Sequence, residues 1–324
     1  MKNKVNLWLL IGGGLILFGG IIFVITMSFL DWDFKKLSTV EYETNEYEIN
    51  EAFKNISIDT RTTDIILLPS EDEKAKVVAY EEEKINHIAK VEDGTLKIER
   101  NDTRKWHEKL QLFNFDSSKL TVYLPKASYE SLKIDSSTGD IKIPQNFTFR
   151  NIEIDTSTSD VNCSASSSGL LKIKVSTGDI CVDGAFYAEM NIKATTGDIE
   201  LLGTACIGKI SLEVTTGDIS ASTITCNEFT ATASNGDITL GNVIATSKMQ
   251  IKTGTGDISL DRCDSYDINL KATTGDIEGS LLSHKEFDAD ASTGDINVPS
   301  SVLGKGKCYI RTSTGDIDIK VVEK

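Results

Sequence analysis

Proline, histidine and aromatic residues are scarce in this chain of 324 residues. The four prolines are too few for a proline-rich stalk or linker. The three histidines, His87, His107 and His284, stand far apart, and no motif of a zinc protease, serine hydrolase or phosphate-binding loop occurs. The sequence therefore predicts a protein that is not an enzyme.

Basic charge is also lacking, because 34 Lys and Arg against 49 Asp and Glu leave a formal net charge of -15. Binding to nucleic acid needs a basic face that displaces counterions from phosphate, so nucleic acid is excluded as a partner. The six cysteines include no C-x-x-C pair, which excludes zinc-finger and thioredoxin-like spacing. We expect free thiols packed as small apolar residues, with disulfides as the alternative.

One long uncharged run stands out, from Leu7 to Leu30. A membrane-spanning helix needs roughly 20 apolar residues, whereas the apolar part of a cleavable signal peptide has about 7 to 15. The run therefore predicts an uncleaved single-pass anchor at 7–30, after a short tail at 1–6 and before an acidic tether at 31–52. We expect the amino terminus inside the cell and the remainder outside the cytoplasm.

A repeat of about 20 residues fills most of the chain. Its mark is an aspartate followed by Ile or Val, recurring every 19 to 21 residues. These aspartates are Asp140, Asp160, Asp179, Asp198, Asp218, Asp237, Asp257, Asp276, Asp295 and Asp316. Nine of them follow a glycine, the exception being Ser159, and the glycines are Gly139, Gly178, Gly197, Gly217, Gly236, Gly256, Gly275, Gly294 and Gly315.

Apolar and polar residues alternate on both sides of each aspartate, as in Leu132-Lys133-Ile134 and Ile141-Lys142-Ile143. This period of two predicts two strands per repeat, each with one face inward. Identical turns at every repeat favour stacked parallel rungs over antiparallel hairpins. We therefore predict an all-β, single-domain parallel β-solenoid preceded by one transmembrane helix, with irregular first rungs and a cap at 53–131 and regular rungs at 132–324.

The turn residues suit a sharp corner. Glycine accepts the positive φ that a Cβ opposes, and the aspartate carboxylate can accept hydrogen bonds from nearby backbone N–H groups. We therefore expect a structural role and no cofactor. The alternative is a row of Ca²⁺ ions along the aspartates, since carboxylates about 4.8 Å apart repel one another.

Two further features suggest contacts with partners. An aromatic insertion supplies a candidate binding patch of Lys105, Trp106, His107, Phe113 and Phe115, although the same side chains could instead cap the core. The last repeat ends near Ile319 without an evident capping helix. Its edge could therefore support self-association as a scaffold.

The corners Ser137–Asp140, Thr195–Asp198 and Thr293–Asp295 resemble those of a bacterial family whose members are provisionally called adhesins and are related to head-GIN adhesin domains. The resemblance covers about residues 50 to 322. It implies a β-solenoid that binds an unknown envelope polymer, peptide or protein, or that serves as an envelope-stress accessory protein. It transfers no catalytic residue, and a β-helix enzyme acting on polysaccharide is the less favoured alternative.

Overall fold

The computed structural model describes residues 2–32, 41–105 and 117–322. It contains one helix, α1 (Lys2–Phe29), followed by strands. The strands are β1 (Tyr42–Ile49), β2 (Asn55–Asp59), β3 (Thr63–Pro69), β4 (Ala75–Glu82), β5 (Ile85–Glu92), β6 (Thr95–Asp102), β7 (Ser118–Leu124), β8 (Ser128–Thr138), β9 (Ile141–Ile143), β10 (Thr148–Thr158), β11 (Val161–Cys163), β12 (Ser166–Thr177), β13 (Ile180–Asp183), β14 (Phe186–Thr196), β15 (Ile199–Leu202), β16 (Ala205–Cys206), β17 (Lys209–Thr216), β18 (Ile219–Asn235), β19 (Ile238–Thr255), β20 (Ile258–Cys263), β21 (Asp267–Thr274), β22 (Ile277–Leu281), β23 (Glu286–Thr293), β24 (Ile296–Asn297), β25 (Lys307–Thr314) and β26 (Ile317–Val321).

Helix α1 carries an apolar stretch of 20 residues, Leu10–Phe29, with almost none of its surface buried by the rest of the chain. At 1.5 Å per residue, this stretch spans about 30 Å, the thickness of the hydrocarbon layer. By length and composition α1 is a candidate membrane span or signal sequence.

The strands stack as parallel rungs in which like residues meet. Ile154 of β10 pairs with Ile134 of β8 on one side and with Ile173 of β12 on the other. Along each strand, buried and exposed residues alternate, so the aliphatic side chains form continuous columns inside the coil. The prediction of an all-β solenoid after one apolar helix is confirmed.

The first rungs do not follow chain order. The β2–β3 rung lies between the β8–β9 rung and the β6–β7 rung. Beyond them, β4 pairs antiparallel with β7, β5 with β6, and β1 with β4. The expectation of an acidic tether over 31–52 is wrong for 42–49, because these residues form β1 and pair with an edge that would otherwise lie open.

The last rung of the chain is not the last rung of the solenoid. β25 lies between β21 and β23, and β26 lies between β22 and β24. The prediction of an uncapped carboxy-terminal rung is therefore wrong, because β23–β24 forms the outer end. The reason is burial: Ile310 of β25 lies at 0% exposure, whereas Ala289 and Ala291 on the outer rung are only partly buried.

The six cysteines are all free thiols, and five of them are buried in the core. Burial raises the pKa of the Cys163 thiol to about 11, since the apolar surroundings disfavour the thiolate. These side chains therefore pack as small apolar residues in this structure.

Candidate functional site

The corner aspartates form one continuous hydrogen-bonded ladder. At each corner the aspartate N–H donates to Oδ1 of the aspartate one rung earlier, as from Asp237 to Asp218 at 2.8 Å. Ten such bonds, of 2.7 to 3.2 Å, run from Asp64 to Asp295. Asp316 lies between Asp276 and Asp295 in this ladder, because the rung that contains β25 and β26 lies inside the rung that contains β23 and β24. One oxygen of each accepting carboxylate is thus committed to holding the next rung.

The corner glycines meet two demands at once. Gly236 has φ +145°, and a Cβ there would lie 1.9 Å from the carbonyl oxygen of Gly217 one rung earlier. The corners at Asp160 and Asp64 have no glycine, and at each of them two hydroxyl side chains three residues apart form a hydrogen bond. Ser159 contacts Thr156 at 2.6 Å, and the Thr60 hydroxyl donates to Thr63 Oγ1 at 3.0 Å.

The ladder aspartates are spread one to a rung, with their side chains toward solvent. Within the described parts of the chain, no group of three or more Asp, Glu, His or Cys residues is arranged to hold a metal ion. The hydrogen bonds already account for the aspartates, so a Ca²⁺ row stays a prediction that the corner geometry does not require.

A buried polar cluster lies where the antiparallel cap meets the first rungs. His87 Nδ1 contacts Glu81 Oε2 at 2.5 Å, and its Nε2 contacts Thr60 Oγ1 at 2.9 Å. Asn45 donates to the other Glu81 oxygen at 2.9 Å, and the Tyr47 hydroxyl donates to the His87 carbonyl at 2.5 Å. These contacts tie β1, β4, β5 and the first corner together.

This cluster has the connectivity of a carboxylate–imidazole–hydroxyl triad, but its hydroxyl lacks the access that a nucleophile needs. The Thr60 residue is 2% exposed and the His87 residue 1%. A nucleophile must be able to contact its substrate. The three groups therefore satisfy one another's hydrogen bonds in a buried joint. Sequence reasoning missed them, because no local motif links residues that lie 6 and 27 positions apart.

A cavity of about 160 Å³ adjoins this joint, and its lining includes His87 together with Glu82, Arg100 and Arg104. Arg104 and Arg100 both donate to Asp102 at 3.0 Å, and hydrogen bonds led by Arg104 hold the pKa of that carboxyl well below its usual range. The predicted patch begins next to it: Lys105 is exposed, whereas Trp106, His107, Phe113 and Phe115 lie outside the described residues.

The outer end of the cap holds a larger groove of about 640 Å³, between β1 and the turn that joins β3 to β4. Its lining carries Glu46, Glu48, Glu71 and Asp72 together with two lysines. One of these, Lys76, places its ammonium group 5.3 Å from the centre of the Tyr123 ring. The groove lies where the repeat is interrupted, and its lining combines charged side chains with an aromatic ring.

The family profile of Toastrack DUF4097 matches residues 53–240 and 202–324, which together cover all of the solenoid. The chain belongs to the Toastrack DUF4097 family. The predicted resemblance is confirmed, and the Toastrack match begins just before β2. No curated protein matches.

Solved structures similar to this Toastrack chain include one provisionally named an adhesin from Bacteroides fragilis, at 19% identity and TM-score 0.41, covering 87% of this chain and 98% of the other. Another, provisionally named a lipid binding protein, comes from Parabacteroides distasonis, at 15% identity and TM-score 0.34, with 86% and 97% covered. A third, from Parabacteroides merdae and also provisionally named an adhesin, has 12% identity and TM-score 0.34, with 86% and 96% covered. TM-scores this low carry no weight for function.

Proposed function

We propose that the protein is a membrane-anchored, extracytoplasmic and non-enzymatic binding protein, adhesin-like in its action. One observation carries the proposal: α1 exposes an apolar surface 20 residues long that the solenoid does not cover. An uncovered apolar helix of that length is stable in the hydrocarbon layer of a membrane, not in water. The described strands bury their apolar residues and turn mostly polar residues outward, which suits them to water.

The body of the rod serves as a rigid spacer. Its repeating aspartates are committed to the ladder, and three of its lysines, Lys172, Lys174 and Lys193, pair with carboxylates of neighbouring rungs, Lys193 with Glu213 at 2.6 Å. Such exposed pairs are worth little individually. We assign binding to the two ends, where the repeat is broken.

The proposed orientation places the amino terminus in the cytoplasm and the solenoid outside. Two lysines precede the span and two follow it, so charge alone leaves the orientation balanced. An accessory role in envelope stress rests only on the family resemblance and is part of the same proposal. The ligand would be an envelope polymer, a peptide or a protein.

A second candidate function is that of an assembly element. The β23–β24 rung pairs with β25–β26 on one side, and no described strand covers its other side. Its Ile296 is 45% exposed. An open edge of this kind accepts a further strand, although Asp288 and Asp290 would repel a second copy of the same strand. Sedimentation over a concentration series that detected only monomer would remove self-association.

The test of the main proposal uses two versions of the chain in bacterial cells, one intact and one lacking residues 7–30. We expect the intact chain to stay with membranes after a carbonate wash and the shortened chain to be released. Intact chain purified in detergent should be retained on immobilised envelope polysaccharide or peptidoglycan. Release of both versions would refute the anchor, and retention on no envelope material would refute the binding role.

A further inference from the structure

A cavity of about 380 Å³ opens at the carboxy-terminal end of the solenoid. After β22 the chain skips one rung position and forms the outermost rung with β23. It then returns through Gly304 and Lys305 and fills the skipped position with β25, and the cavity lies where these two connections cross. Its other walls are the corners at 244–246 and 264–266 and the link at 283–285. The cavity is therefore a product of the interleaved rung order, and the regular rungs have no equivalent of that crossing.

The floor of this cavity is a buried ion pair. Lys285 Nζ lies 2.9 Å from Asp264 Oδ1 and donates to Ser283 Oγ at 2.8 Å, with side-chain exposures of 4% for Lys285 and 22% for Asp264. The same Oδ1 accepts from the Ser283 hydroxyl at 3.0 Å and from the Ser265 N–H at 2.9 Å. All three of these donors converge on one carboxylate oxygen, and no described residue donates to Oδ2.

One polar group in the floor lacks a partner. The Ser265 hydroxyl is buried in a residue that is 4% exposed, and it makes no hydrogen bond within the described structure. A buried hydroxyl without a partner costs about 1–3 kcal/mol, so Ser265 is a local cost in the floor of the cavity. The cavity itself offers the partly exposed carboxylate of Asp264, whereas the Ser265 hydroxyl lies beneath its surface.

The rim supplies an aromatic face and a second cation. Tyr266 is 60% exposed, in a protein where aromatic residues make up only 7% of the sequence. Lys305 is exposed and also lines the cavity. Two lysines against one aspartate, 2 - 1, give the cavity a local charge of +1 on a chain with a net charge of -15.

We infer that this cavity binds an acidic saccharide, a deepening that rests on the proposed binding function. The ring of Tyr266 offers its electron-rich face to the C–H groups of a pyranose. Asp264 Oδ2 accepts a hydrogen bond from a sugar hydroxyl. Lys305 pairs with the carboxylate of the sugar. A neutral sugar would leave that charge unmatched, and a simple anion would leave the aromatic face unused.

The test is isothermal titration of the full chain in detergent micelles with trigalacturonate, and with galactotriose and acetate as the neutral and the purely anionic probes. Tyr266→Ala should weaken trigalacturonate binding about tenfold or more, and Lys305→Gln by a smaller factor. Tyr309→Ala is the matched control, because Tyr309 is exposed on β25 beside Lys307 and does not line the cavity. It should leave the affinity within about twofold.

Trigalacturonate that fails to bind at about 10 mM, or an affinity unchanged by Tyr266→Ala, would overturn the inference. If galactotriose bound as tightly as trigalacturonate, the inference that the saccharide is acidic would be wrong. If the wild-type chain is retained on envelope polysaccharide and Tyr266→Ala is retained equally, this cavity is not the site although the proposed function stands. If the wild type is retained on no envelope material, the proposed function itself fails.

Discussion

Replacing the corner glycine Gly236 by alanine should destabilise the solenoid far more than its surface position suggests. The new Cβ would lie 1.9 Å from the carbonyl oxygen of Gly217, whereas real contacts stay above 3.0 Å, so the corner must move by about 1 Å. That movement strains the bonds from Gly236 N–H to Thr255 O (2.9 Å) and from Asp237 N–H to Asp218 Oδ1 (2.8 Å).

The magnitude follows from these contacts. A non-glycine residue in this region of φ costs about 1–3 kcal/mol, and each weakened hydrogen bond adds about 0.5–1.5 kcal/mol. We expect a loss of about 3–5 kcal/mol in the free energy of unfolding. With a urea slope of about 3 kcal/mol per molar, the midpoint of unfolding by circular dichroism should fall by more than about 1 M.

Two other glycines separate the causes. Gly241→Ala places its Cβ 3.7 Å from Ser222 Oγ, an ordinary contact, and should change the midpoint little. Gly304 has φ +79° but open space where a Cβ would lie. Gly304→Ala should therefore lower the free energy of unfolding only by the cost of a positive φ, about 1 kcal/mol. Equal midpoints for Gly236→Ala and Gly241→Ala would refute the argument that close stacking of the corners requires glycine.

Three other predictions concern the ladder, the core and the rung order. Asp237→Ala should cost about 1 kcal/mol in urea unfolding and Asp237→Asn less, because only asparagine keeps an acceptor for the next N–H; equal losses would contradict a hydrogen-bonding role. Cys163, whose pKa burial raises to about 11, should resist a thiol reagent at about pH 8.5 until urea unfolds the chain, whereas rapid native labelling would disprove its burial. Cysteines introduced at Asn269 and Tyr309, on neighbouring rungs, should form a disulfide, whereas cysteines at Asn269 and Asp288, two rungs apart, should not. A disulfide in the second variant only would show that the rungs stack in the order of the sequence.

The regular part of the fold could be predicted because every repeat carries its own signal. Alternation fixes which face is buried, and an aspartate, preceded by glycine at all but two corners, marks each corner, so even the degenerate corner at Asp64 fits the pattern. The order of rungs could not be predicted in the same way. Each rung has the same motif, so a strand can pair with any other; only the alanines of β23 and the isoleucines of β25 to β26 hint at which rung lies inside.

The sites escaped prediction for a related reason. The Glu81–His87 pair forms across an antiparallel hairpin, and the Asp264–Lys285 pair forms across a skipped rung. Neither pair has a spacing that sequence motifs encode. The predicted aromatic patch falls almost entirely outside the described residues and stays a prediction.

The most direct test of the central claim is protease accessibility on intact cells carrying the full chain. Protease added outside should remove the domain at residues 41–322 from cells that remain sealed, while a cytoplasmic marker stays uncut. Protection of the domain until the cells are opened would contradict an extracytoplasmic binding protein.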